Sequence, residues 1–241
     1  MTRQIRVGKV PLGGGAPVTV QSMTSTRDLQ STIEQIRELK LAGCDIVRVA
    51  IPDMDRVKYI YEIKKQIDIP IVADIHFNYR LAIEAAAAGA DKIRINPGNI
   101  GSRDRVRAVA DACRSRNIPI RIGVNGGSLP REILAKYSGP TAEALVESAL
   151  EEIAVLESCE FYDICVSLKS SDVPTTIKAN RLMSQKSDCP LHLGVTEAGT
   201  EYGGTLRSAV GIGALLIDGI GDTIRVSLTA EPVKEVKAGI E

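Results

Sequence analysis

The feature that most constrains this chain is a repeat. Ala42-Gly-Cys-Asp-Ile-Val-Arg-Val-Ala50 returns as Ala88-Gly-Ala-Asp-Lys-Ile-Arg-Ile-Asn96, and its core returns as Asp222-Thr-Ile-Arg-Val226. The first two copies join an amphipathic run that stops at glycine to a short β-branched run, the pattern of a helix ending and a buried strand beginning. Such pairs alternate along the whole chain with no linker or low-complexity stretch between them. Strands are expected at Val18–Met23, Asp45–Ala50, Ile71–His76, Asp91–Asn96, Ile120–Asn125, Asp163–Lys169, Leu191–Thr196 and Thr223–Ser227. Their spacing averages about 30 residues, one βαβ step. Eight such steps in 241 residues predict an α/β fold, a (β/α)8 TIM barrel that takes residues 1–241 as one domain. A doubly wound open sheet is the alternative.

Helices fill the gaps. In the first, Leu29, Ile33, Ile36 and Leu39 share one face and Gly43 follows as a stop. Others are expected over Asp55–Ile67, Tyr79–Ala88, Arg103–Arg116, Ala142–Glu157, Val173–Gln185, Thr205–Asp218 and Glu231–Glu241. Ahead of the barrel, Ile5–Val20 reads as a hairpin with a Leu12-Gly-Gly-Gly-Ala-Pro17 turn, an N-terminal plug for the bottom of the barrel, away from the chemistry.

Thirty Lys and Arg balance thirty Asp and Glu, which gives no global attraction to nucleic acid or to an anionic membrane. No apolar run approaches the roughly 20 residues of a spanning helix, and Met1-Thr-Arg-Gln-Ile-Arg6 does not read as a secretory leader. A cytoplasmic location is expected. Five cysteines, at 44, 113, 159, 165 and 189, form no Cys-x-x-Cys pair, and His76 and His192 are the two histidines. Neither a disulfide framework nor a metal site is expected from them.

Strand parity assigns the charges to one face, because alternate residues point to opposite sides of a sheet. Val47/Val49, Ile93/Ile95, Ile120/Ile122/Val124, Ile164/Val166/Leu168 and Ile224/Val226 suit the helix layer. The opposite parity then faces the barrel axis: Gln21, Arg48, Asp74, His76, Lys92, Arg94, Asn96, Arg121, Asn125, Asp163, Cys165, Ser167, Lys169, His192, Thr196, Arg225 and Ser227. Six are cations and two, Asp74 and Asp163, are acids. Burying unpaired cations costs several kcal/mol each, so a neutral chain that collects them on its axis points to a pocket for a polyanion, where guanidinium forks suit phosphate oxygens. Structural ion pairing is the bland alternative.

The segments after the strands agree. Asn96-Pro-Gly-Asn-Ile-Gly101, Asn125-Gly-Gly-Ser128 and Thr196-Glu-Ala-Gly199 fall at the C-terminal mouth, where barrel active sites form and where glycines admit backbone N–H groups to an anion. Asp74, His76 and Glu197 are the candidate acid/base groups. Lys169, set among cations, allows another reading, a metal-free transferase or a Schiff-base aldolase acting on a phosphorylated small molecule. Ser167 and Ser227 lack a neighbouring His in sequence, so a hydrolase triad is not supported.

Gly8-Lys-Val-Pro-Leu-Gly-Gly14, Val20-Gln-Ser-Met-Thr24, Val72-Ala-Asp-Ile-His-Phe77, Ile93-Arg-Ile-Asn-Pro-Gly-Asn-Ile-Gly101, Arg121-Ile-Gly-Val-Asn-Gly-Gly-Ser128 and Leu193-Gly-Val-Thr-Glu-Ala-Gly199 occur in order. In these words the chain resembles the N-terminal barrel of the 4-hydroxy-3-methylbut-2-enyl diphosphate synthase family, oxidoreductases of non-mevalonate isoprenoid biosynthesis. The resemblance implies a substrate, 2-C-methyl-D-erythritol 2,4-cyclodiphosphate, and its two-electron reductive ring opening with loss of water. It implies diphosphate binding by Arg48, Arg94, Asn96, Arg121, Asn125, Lys169, Arg225 and Ser227, with Glu197 near the reacting carbons and Asp74 and His76 matching an Asp-x-His. It further implies a [4Fe–4S] cluster in a C-terminal domain, an electron donor such as flavodoxin or ferredoxin, and a homodimer. The Cys-Pro-x-Cys-Gly-Arg segment that carries the family's cluster does not occur in this sequence. The expectation is therefore a substrate-binding half, inactive alone, with no cofactor of its own.

Overall fold

The computed structural model describes residues 1–241 except for the side chains at positions 97 and 98. A short antiparallel hairpin, β1 (Ile5–Val7) and β2 (Val10–Leu12), precedes eight parallel strands. These are β3 (Thr19–Met23), β4 (Ile46–Ala50), β5 (Ile71–Asp74), β6 (Lys92–Ile95), β7 (Ile120–Asn125), β8 (Ile164–Lys169), β9 (His192–Leu193) and β10 (Thr223–Ile224). They lie in the order β8-β7-β6-β5-β4-β3-β10-β9. A parallel bridge from Val166 to Leu191 joins the two ends and closes the sheet into a barrel.

The repeat now has a physical reason. Its aspartate opens a strand and reaches sideways to a backbone N–H of a neighbouring strand or its approach: Asp45 accepts from Val20 N at 2.8 Å, Asp91 from Ile71 N at 2.7 Å and Asp222 from Leu191 N at 2.7 Å. Each carboxylate satisfies a donor that the barrel rim would otherwise leave unpaired. The repeat's arginine, three residues on, then falls on the axial face.

Parity holds around the barrel. The outward set, from Val47 to Val226, is buried with the helices in one apolar core. Six helices begin on side-chain caps: Asp28, Asp53, Asn78, Thr141, Asp172 and Thr200 each accept from a backbone N–H in the first turn. Among the described residues no helix is long and apolar enough to cross a membrane.

Several boundaries differ from expectation. The hairpin is Ile5–Leu12, and it turns at Gly8-Lys9, where Gly8 has φ +57°. The Gly13–Gly15 stretch instead leads the chain away from it, with a Cβ at Gly13 coming within 2.1 Å of Arg3 O. The helix expected from Thr205 begins at Glu201, because Thr200 caps it and Gly204 lets it approach Leu228 closely. Helix Arg131–Tyr137 and the 3-10 turn Gly126–Ser128 lie in what the sequence left as connection. β9 and β10 are two residues each, although Arg225 N still donates to Leu193 O at 3.0 Å.

The plug is a second, small core. Ile5, Val7 and Leu12 of the hairpin pack on Ile46, Val72 and Cys165, the first inward residues of β4, β5 and β8. The bottom of the barrel is thereby sealed with apolar side chains.

Candidate functional site

One layer above the plug, the axial positions turn polar. Gln21, Lys92, Arg121 and His192 are all at most 1% exposed. Higher up come Arg48, Arg94, Lys169 and Arg225, and then the mouth. A cavity of about 110 Å³ sits among Arg48, Arg94, Arg121, Asn125, Ser167, Lys169, Val195, Thr196, Arg225 and Ser227. Asn125, Lys169 and Thr196 also line a mouth cavity of about 470 Å³, with Glu197 and the Gly126–Ser128 turn on its wall. Seven of the eight residues assigned to diphosphate binding thus surround one space. Asn96 is buried at the end of β6, but it does not line either cavity. Pro97 and Gly98, in the segment that follows, lie outside the described residues.

The counter-charges differ from those expected. Asp163 is exposed at the bottom end of β8 and neutralises nothing on the axis, because Tyr162 and Asp163 precede the point where the strand enters the barrel. Its place is taken by Glu235, from the last helix, Pro232–Ile240. This carboxylate is buried, sits 3.3 Å from Arg225 Nη2 and accepts from Leu228 N at 2.8 Å. Sequence reasoning missed it, although a glutamate on the apolar side of a short amphipathic helix was a usable signal. Asp74, also buried, sits 3.1 Å from Arg94 and 3.6 Å from Arg48. Burial works to raise the Asp74 pKa, but Arg48 and Arg94 prevail and hold it below the usual carboxylate range.

Six cations therefore face two carboxylates, and the arginines keep donors in hand. Arg94 Nε, Arg121 Nε and Nη2, and Arg225 Nε are buried without a hydrogen-bond partner. Arg121 Nη1 donates to Ser167 Oγ at 3.2 Å, and Arg94 Nη2 to Gly123 O at 3.4 Å. Burial followed by mutual repulsion pulls Arg121 down to about 9, while burial with partial relief from Asp74 leaves Arg48 at about 10. Both remain cations at neutral pH. Buried donors without partners are costly, and a cluster of them around one cavity has the chemistry of an anion site.

Two axial glycines make this packing possible, and sequence reasoning did not single them out. A Cβ at Gly123 would lie 2.6 Å from Arg94 Nε, and one at Gly194 would lie 2.7 Å from Lys169 Nζ and 2.5 Å from Arg225 O. Their signal was parity: each stands at an inward position beside a strand cation.

The acid/base candidates occupy different settings. His76, two residues past the inward Asp74 that ends β5, is half exposed, with Nδ1 3.3 Å from Arg94 and Nε2 3.7 Å from Asp74. Glu197 is exposed on the mouth wall in a left-handed conformation, φ +51°, uncommon for a side chain of this size. Its loop is pinned on both sides: Thr196 N donates to Ser170 O, Arg207 Nη1 to Ala198 O at 2.6 Å, and Thr229 N to Gly199 O at 2.8 Å. Arg207, on helix Glu201–Ile217, is a further residue the sequence did not single out.

All five cysteines are free and buried, and among the described residues no three His, Cys, Asp or Glu side chains converge as a metal site. The chain's own donors do not fit an iron–sulfur cluster.

The comparisons follow this geometry. The family model described as the GcpE TIM-barrel domain matches residues 2–240. The chain belongs to the GcpE TIM-barrel family. It is 59% identical over 242 residues to 4-hydroxy-3-methylbut-2-en-1-yl diphosphate synthase (flavodoxin) of Clostridium perfringens, covering 100% of this chain and 69% of that protein. The synthase of the same name from Geobacter sulfurreducens is 57% identical with the same coverage. Among solved structures, dihydropteroate synthase from Xanthomonas albilineans superposes with a TM-score of 0.67 at 12% identity, covering 98% of this chain and 96% of its own. Type I 3-dehydroquinate dehydratase from Clostridium difficile gives 0.69 at 14%, covering 99% and 98%. Those two likenesses share the barrel fold with the GcpE domain.

Proposed function

We propose that this chain is the substrate-binding barrel of a 4-hydroxy-3-methylbut-2-enyl diphosphate synthase and grips the diphosphate of 2-C-methyl-D-erythritol 2,4-cyclodiphosphate in its upper half. The observation that carries the reading is the set of unpartnered guanidinium donors on Arg94, Arg121 and Arg225 around one small axial cavity. Arg48 and Lys169 add charge, and Asn96, Asn125 and Ser227 add neutral hydrogen bonds. The donors are fixed before the ligand arrives, so charge that develops on the diphosphate side as the ring opens meets dipoles that need no reorganisation. A cavity of about 110 Å³ suits the diphosphate rather than the whole substrate, and in this reading the carbon skeleton lies in the mouth beside Glu197. There the carboxyl group is positioned to move a proton during loss of water. Asp74 holds Arg48 and Arg94 in register, and His76 covers that pair from the mouth.

The reduction requires two electrons. We assign them to a [4Fe–4S] cluster outside this chain, since the chain's donors do not fit one, and to flavodoxin or ferredoxin behind it; the relatives' printed name supports flavodoxin. The relatives extend beyond the matched region by about a third of their length, and a cluster domain there would complete the site. In a homodimer, the partner would sit on helix Glu201–Ile217, where Tyr202, Leu206, Val210 and Ile217 form an exposed apolar stripe. A cytoplasmic location is part of the same reading.

Calorimetric titration with the cyclic diphosphate tests the reading: binding weakens with salt and is lost in Arg121→Ala. The unpartnered amine of Lys169 also suits the aldolase reading, which borohydride separates. Trapping of an imine on Lys169 would favour that chemistry, and an unmodified Lys169 the diphosphate site.

A further inference from the structure

Among the inward cations, Lys169 stands apart. It ends β8 where the small axial cavity meets the mouth cavity, and it lines both. The two buried axial carboxylates are committed elsewhere, Asp74 to Arg48 and Arg94, Glu235 to Arg225. The groups around it are Arg121 and Asn125 from β7, Arg94 from β6, Arg48 from β4, Arg225 beyond β10, and His192 and Thr196 from β9 and its continuation. On its own strand Cys165 and Ser167 lie below it, and Glu197 stands exposed in the mouth. Burial first, and then the positive charges of Arg121, Arg225, Arg48 and Arg94, hold its ammonium form well below the usual lysine range. Burial first, and then the positive charges of Lys169, Arg121, Lys92 and Arg48, hold His192 down in the same way. Guanidinium groups keep their protons near neutrality, whereas a crowded lysine can release one.

We propose that Lys169 is a neutral amine in the ligand-free barrel and takes one proton from solvent when the diphosphate binds, so that each substrate brings a proton to the boundary between the two cavities. The inference rests on the upper half being the diphosphate site. The step is simple: the amine gains one proton from the buffer and no other bond forms or breaks. An anion beside Lys169 reverses the sign of its surroundings, and by linkage the affinity must respond to pH. Below the pKa of the free barrel binding is flat with pH. Between the free and bound values it weakens tenfold for each unit of rise. The proton is then held beside the mouth cavity, where a reaction that expels water needs one.

The test is calorimetric titration at pH 7.5 in two buffers of different ionisation enthalpy, with two ligands: 2-C-methyl-D-erythritol 2,4-cyclodiphosphate and inorganic sulfate. Neither ligand titrates near neutrality, so any protons counted belong to the protein. The expected result is uptake close to one proton per ligand, lost in Lys169→Gln and in Lys169→Arg, and kept in Lys92→Met, which removes the other buried lysine. Binding without uptake, or uptake that persists in both Lys169 variants, overturns the proposal. If sulfate binds with uptake and the cyclic diphosphate does not bind, the substrate reading fails, and what stands is proton uptake by Lys169 on binding of an anion. If neither binds, both fail.

Discussion

The lower and upper halves of this barrel are built on the same strands and the same parity, yet they do opposite things. In the lower half the axial positions are Ile46, Val72 and Cys165, closed by Ile5, Val7 and Leu12 of the hairpin. In the upper half they are Arg48, Arg94, Arg121, Lys169 and Arg225, open to the mouth and short of counter-charge. The first arrangement stabilises the fold through apolar packing. The second costs stability, because its donors are desolvated and its charges repel, and it makes sense as a site held ready for an anion. A barrel can separate stability from function along one axis, two residues at a time.

Substitutions can break that contrast, the largest effect first. Leu12→Ala, in the lower half, is expected to cost about 2–5 kcal/mol of stability through a cavity in the plug while leaving the affinity for cyclic diphosphate within twofold; denaturant unfolding and calorimetry check the two halves of the claim. Arg121→Met, in the upper half, should do the reverse, weakening binding by about 100-fold, or roughly 3 kcal/mol, with a melting temperature unchanged or raised. A fall in stability comparable to that of Leu12→Ala would contradict the division.

Glu152 sharpens the contrast from outside the barrel. It is buried on helix Ala142–Glu157 with Oε2 unpartnered, and burial pushes its carboxyl up to about 8, against a small opposing pull from Arg94. Its folded pKa lies above the unfolded value near 4.5, so folding favours the protonated form. Stability is full below about pH 4.5 and declines as pH rises toward 8. Glu152→Gln should therefore stabilise by roughly 2–3 kcal/mol at pH 7.5 and by little at pH 5, without change in ligand affinity, as melts at the two pH values would show. Gly123→Ala is the mildest of the four. Its Cβ would lie 2.6 Å from Arg94 Nε, so the guanidinium must move aside by roughly an ångström to reach ordinary contact, which should weaken binding by a fewfold, read by the same titration.

Much of this contrast was legible in the sequence. The repeat and the outward β-branched residues fixed the number of strands, and parity placed Arg48, Arg94, Arg121, Lys169 and Arg225 on the axis. What stayed hidden depended on distances between segments far apart in the chain. Glu235 pairs with Arg225 because the last helix folds back under the strand, and Asp163 fails to pair because its strand enters the barrel one residue later. Parity alone sees neither. Gly123 and Gly194 look like loosely placed strand glycines until the arginine and lysine they make room for are in view. The Gly13–Gly15 run does turn, with all three glycines at positive φ, but the hairpin closes earlier, at Gly8-Lys9, where Val7 pairs with Val10.

The most direct measurement is a crystal structure of the chain with 2-C-methyl-D-erythritol 2,4-cyclodiphosphate bound. The expected density places phosphate oxygens within hydrogen-bond distance of Arg94 Nε, Arg121 Nη2 and Arg225 Nε, with the carbon skeleton toward Glu197. Ligand bound instead in the cavity of about 830 Å³ at the bottom of the barrel, beside Met1, Ser187 and Asp222, with the three guanidinium donors still unpartnered, would contradict the assignment of the upper half as the diphosphate site.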